Sequence, residues 1–159
     1  TLESRGLGDV YKRQDDTDVK VVVSDGTGTL SAADLAAITA KTTGTVTLQN
    51  AQTVSGTGDE VTAALITNPL TLSAASNATV TGNVTAEVAG NIANVTDITA
   101  AFSGTITDTL ANLADSGSIT TNFSRARGDV KVVVSDGTGT LSAADLKAVT
   151  EKTLSLIHI

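Results

Sequence analysis

Two short turns carry the side chains with the most evident chemical capacity. Ser24-Asp25-Gly26-Thr27-Gly28 recurs as Ser135-Asp136-Gly137-Thr138-Gly139. An Asp carboxylate, a Thr hydroxyl and bent-back main-chain carbonyls are the hard oxygen ligands that calcium prefers, so Asp25 and Asp136 are the candidate calcium ligands. Each turn offers one carboxylate where calcium collects about six to eight oxygens, and neither fits an EF-hand loop. A turn whose Asp bonds nearby backbone is the competing reading. Asp59-Glu60 could in principle supply an acid and a base, as in glycosidases. The pair also falls where a first helical turn is expected, and negative charge suits that position. Asp15, Asp16 and Asp18 form a denser acidic cluster. Arg127-Gly128-Asp129 spells a tripeptide read by some adhesion receptors. Asn77, Asn83, Asn94 and Asn122 each open an Asn-x-Ser/Thr acceptor pattern. A Ser–His–Asp relay needs a His, and the chain has one, His158. Cys is absent, which removes thiolate catalysis, disulfides and Cys-based zinc sites.

His158 and the single Tyr, Tyr11, lie in stretches that read as foreign. The codons GAT GTG TAT AAG AGA CAG encode Asp9-Val10-Tyr11-Lys12-Arg13-Gln14, and their reverse complement encodes Leu154-Ser155-Leu156-Ile157-His158-Ile159. Both ends resemble the translated end of a transposase sequencing adapter. Residues 1–14 and 154–159 are therefore expected to be adapter-derived and are set aside from fold reasoning. The remaining residues, 15–153, hold Phe102 and Phe123 as their aromatics. They carry seven basic and fifteen acidic side chains. No metal, cofactor or catalytic residue is expected in them beyond the calcium candidates.

The elements that must position these groups follow a repeat. Residues 129–153 match residues 18–42 at 22 of 25 positions. A shorter period runs between them. Units open with β-branched runs near Val19, Thr45, Leu70, Val95 and Ile119. A second apolar step follows at Thr29-Leu30, Thr53-Val54, Thr79-Val80 and Ala101-Phe102. Helical stripes come next: Leu35 with Ile38, Val61 with Leu65, Val84 with Val88 and Ile92, Ile106 with Leu110 and Leu113, and Leu146 with Val149. Ser31 with Asp34, Thr57 with Glu60, Thr105 with Asp108 and Ser142 with Asp145 fit N-terminal caps. Asn68-Pro69 ends a helix. One strand and one short helix cannot bury an apolar face alone, but stacked copies can. The pattern predicts a repeat solenoid, either a right-handed β-solenoid or an α/β solenoid, with parallel strands and one short helix in each unit of about 25 residues. Residues 122–128 interrupt the array with a polar, basic stretch.

Composition narrows the function classes. The net charge of −7 disfavours a non-specific grip on nucleic acid or anionic membrane. No apolar run has the ~20 residues that span a bilayer. Thr is abundant, at 28 residues. Ranked Thr on a flat sheet is an ice-binding pattern, yet the pairs Thr45/Thr47, Thr79/Thr81 and Thr105/Thr107 do not hold one register through every unit. The aromatics that line sugar clefts are scarce, at 2% of the chain.

The stretches TLSAADLAAITAKTTGTVTL and TVSGTGDEVTAALI resemble repeats of very large secreted or surface proteins of cyanobacteria and marine bacteria. The resemblance covers most of residues 15–153 and departs from a clean array at residues 122–128. It implies an extracellular stalk, spacer or surface layer, sometimes adhesive, whose partners are neighbouring repeats of the parent chain. A ligand-binding solenoid with calcium or glycan along one face is the alternative, and a polysaccharide-cleaving β-helix fragment is a third. Exposed strand edges at the ends of such an array predict self-association.

Overall fold

The computed structural model describes residues 17–67, 70–72, 76–95, 103–126, 130–153 and 155–158. Asn68-Pro69, Phe102, Arg127-Gly128-Asp129 and residues 1–16, including Asp15, Asp16 and Tyr11, lie outside them.

Val-, Thr- and Leu-rich segments form strands as their β-branched content predicts. Two parallel sheets result. The smaller joins β1 (Val21–Val23), β3 (Val46–Leu48) and β5 (Thr71–Leu72) in that order. The larger runs β2 (Gly28–Ser31), β4 (Gln52–Thr57), β6 (Asn77–Val84), β7 (Ser103–Asp108), β10 (Lys131–Val134) and β11 (Ser155–His158). Neighbours pair in chain order, as in Gly28↔Gln52, Thr53↔Asn77 and Thr105↔Lys131. A shift in register between Thr79 and Asn83 marks a bulge in β6. β11 lies inside the stretch read as adapter-derived. Its parallel pairing with β10 is a main-chain interaction, which demands little of sequence.

Helices fill the connections: α1 (Ala32–Thr39), α2 (Gly58–Thr62) running into a π turn (Ala63–Thr67), α3 (Ala86–Ala93), α4 (Leu110–Leu113), α5 (Thr121–Arg125) and α6 (Ala143–Lys152). Caps set where several begin. The Ser31 and Ser142 hydroxyls accept the amides of Asp34 and Asp145 at 3.2 and 3.3 Å. Thr57 and Glu60 form a complete capping box. Leu35, Leu48, Val54, Val61, Leu65, Ile92, Ile106, Phe123 and Val132 belong to one buried cluster shared by both sheets and the helices.

The solenoid expectation is corrected. The described residues form an α/β fold with two parallel sheets of unequal size, and three findings overturn a uniform array. Among the described residues the smaller sheet ends at β5, so the unit openings pair with one another only in the first three units. The helices vary from four residues to ten. Most decisively, the unit expected to open at Ile119 contributes to neither parallel sheet. β8 (Ala114–Asp115) and β9 (Ser118–Ile119) pair antiparallel instead, and β10 joins β7 directly. The physical cause is Ser116-Gly117. Both residues have positive φ, 53° and 79°, which is the geometry of a tight two-residue hairpin. That turn reverses the chain before Ile119 can extend the ladder.

Two smaller expectations also fail. Thr105 and Asp108 do not form the expected cap with one another, because both lie in β7, and Ile106 is a strand residue. Val84 belongs to β6, and the helix that follows is capped by Thr85, whose hydroxyl accepts the Val88 amide at 3.2 Å.

Candidate functional site

A polar cleft of about 340 Å³ lies where the N-terminal ends of α3 and α4 meet α5. Asp108, Asn112, Thr85, Glu87, Thr120 and Asn122 contribute to its walls. α3 and α5 approach so closely that a Cβ on Gly90 would lie 2.6 Å from the Asn122 carbonyl oxygen, so only glycine fits there.

Among the described residues Asp108 is the one buried carboxylate, 8% exposed. Its Oδ2 accepts the Ala86 amide of α3 at 2.9 Å. Its Oδ1 accepts the Thr109 amide at 2.9 Å and the Asn112 side-chain amide at 2.7 Å. A buried carboxylate is costly unless hydrogen-bonded, and these three donors meet that need. Thr120 is committed as well: its hydroxyl donates to the Asn112 carbonyl at 2.7 Å. The cleft walls are thus bonded to one another and to backbone.

The calcium candidates stand in two different situations. The Asp136 carboxylate accepts the Leu110 amide at the start of α4, at 2.6 Å. At Asp25 the main-chain carbonyl does the work, accepting the Asn50 side-chain amide at 2.6 Å and that of Gln52 at 3.0 Å. The Asp25 side chain is exposed. The fold does not bring the two turns together, since they belong to opposite ends of the larger sheet. Among the described residues, no three His, Cys, Asp or Glu side chains gather as a metal would require.

The remaining acidic candidates lie in the first turns of helices. Glu60 accepts the Thr57 amide at 2.8 Å. Asp59 sits beside it in the first turn of α2. Asp145 accepts the Gly117 amide at 2.5 Å and so holds the reversing hairpin against α6. Asn77 and Asn83 lie in β6, Asn94 caps the C-terminus of α3, and Asn122 lies in α5. The Thr pairs keep rank only in places along the ladder. Thr79 pairs with Ser103, Thr81 with Thr57, and Thr105 with Lys131.

Asp108 is the important residue that sequence reasoning misplaced. Its signal was present: an acid that closes a Thr-Ile-Thr run. That position marks it as an acceptor, while the identity of its donor is set by the fold.

Among the described residues, no helix is long and apolar enough to cross a membrane. Comparison with family models, with curated proteins and with solved structures finds no match.

Proposed function

We propose that this chain is a structural segment of a larger extracellular bacterial protein, serving as a stalk or spacer, and that its work is mechanical rather than chemical. The observation that carries this reading is the use made of the acids. Glu60, Asp108, Asp136 and Asp145 each accept a main-chain amide, three of them from residues 22 to 28 positions away. Of the two calcium candidates, Asp136 is engaged in joining one stretch of the fold to the next, as Asp108 and Asp145 are. Main-chain pairing in chain order lays the larger sheet out along one direction, as a spacer requires. The extracellular setting rests on the resemblance of residues 29–48 and 53–66 to surface-protein repeats.

Calorimetric titration with calcium and with a panel of acidic and neutral polysaccharides tests this reading. The expected outcome is no saturable heat and no rise in melting temperature. A ligand that binds only the folded state must raise stability. A saturable calcium signal lost on Asp25→Asn would replace the spacer reading with a cation-binding one.

A further inference from the structure

Residues 18–35 and 129–146 are identical, yet only the first copy is fully used. In that copy, Gly28–Ser31 forms β2 and pairs with β4 in the register Gly28↔Gln52, Thr29↔Thr53, Leu30↔Val54, Ser31↔Ser55. The turn before it anchors the pair, because Gln52 donates from its side-chain amide to the carbonyls of Asp25 and Gly26 at 3.0 and 2.5 Å. In the second copy the same Gly-Thr-Leu-Ser, at residues 139–142, belongs to no strand. Gly139, Thr140 and Ser142 are exposed, and Leu141 is half-buried. Its turn differs too: Gly137 has φ of 67°, whereas Gly26 does not take positive φ.

We propose that residues 139–142 are a docking strand for a second copy of this chain, and that their seat is the edge of β4 in that copy, where they replace β2. Sequence identity specifies both occupant and register. Gly139 would face Gln52 of the second copy, and Leu141 would face its Val54, as Leu30 does. The carbonyls of Asp136 and Gly137 would receive the Gln52 amide, leaving the Asp136 carboxylate on Leu110. The exchange is inexpensive at both ends. The docking strand breaks no pairing of its own. The strand it displaces is an edge strand among the described residues, and the neighbouring β1 leaves Val22 59% exposed. Joining is head to tail, so the contact does not close on itself and chains of molecules can grow.

This rests on the comparison of the two copies and not on the spacer reading. Sedimentation of the full chain over a range of concentrations tests it, together with one substitution made separately in each copy. Leu141→Lys removes an apolar anchor from the docking strand and is expected to weaken association about tenfold. Leu30→Lys weakens the strand that must leave and is expected to strengthen association. A synthetic peptide of residues 135–146 should compete and return the protein to monomer, whatever the variants do to folding. A monomer at every concentration, equal effects of the two substitutions, or no effect of the peptide would each overturn the proposal.

Discussion

The Val-Val-Val run at residues 21–23 is an edge strand of the smaller sheet, with Val22 facing solvent. The same run at residues 132–134 lies inside the larger sheet, between β7 and β11, with Val132 and Val134 completely buried. The helices that follow differ as well. α1 buries Ala32, Leu35 and Thr39 against α2, the π turn and β4. α6 exposes the equivalents Ala143 and Thr150 and buries Ala148 and Val149 against the β8–β9 hairpin and α4. One sequence therefore presents two faces. What they share is local. Both helices start at a Ser hydroxyl that accepts the amide three residues on. What differs is whatever the rest of the chain brings alongside. β1 precedes its sheet partners, whereas β10 follows a strand edge that β7 has already prepared.

Paired substitutions at equivalent positions test how deep this difference runs. The largest effect is expected in the strands. Val132→Ala opens space in a fully buried site and should cost about 2 kcal/mol by urea denaturation, while Val21→Ala should cost less than about 1 kcal/mol. Equal costs would mean that the two strands are equally buried in solution. Next come the turns. Asp136→Ala removes an acceptor from the first amide of α4 and should cost about 1 kcal/mol, and Asp25→Ala, whose carboxylate bonds no amide of that kind, should be near neutral. The smallest effect concerns the helices. Lys147 and Glu151, which replace Ala36 and Ala40, make an exposed contact one turn apart. Lys147→Ala should cost about 0.3–0.5 kcal/mol, and added salt should erase most of that loss. A loss that persists in high salt would assign the effect to packing of the lysine's aliphatic stem rather than to charge.

Much of the local structure was legible. Strand positions near residues 21, 29, 46, 53 and 79 follow from β-branched runs. The caps at Ser31, Thr57 and Ser142 follow from Ser/Thr-x-x-Asp/Glu spacing. Sequence periodicity went wrong where a short turn overrode it. Ile119 stands at the expected interval, but Ser116-Gly117 reverses the chain two residues earlier. Ile106 and Leu110 share helical spacing, yet Ser103–Asp108 is a strand because its Thr-Ile-Thr core suits the vacant edge of β6. The candidate site was legible as a set of acids and illegible as an arrangement. Nothing near Asp108 in sequence announces that its partner is the Ala86 amide, 22 residues earlier.

The residues by themselves determined the local elements: which segments extend, which coil, and where a hydroxyl or carboxylate starts a helix. Those outcomes depend on sterics and hydrogen bonds within about four residues. Tertiary structure alone decided which sheet a Val-Val-Val strand joins, which face of an Ala-Ala-Asp-Leu helix is buried, and whether Gly-Thr-Leu-Ser is a strand at all. Each is a contest between neighbours for the same apolar surface and the same main-chain amides. Identical sequences can settle that contest differently, because the neighbours are supplied by residues far away in the chain.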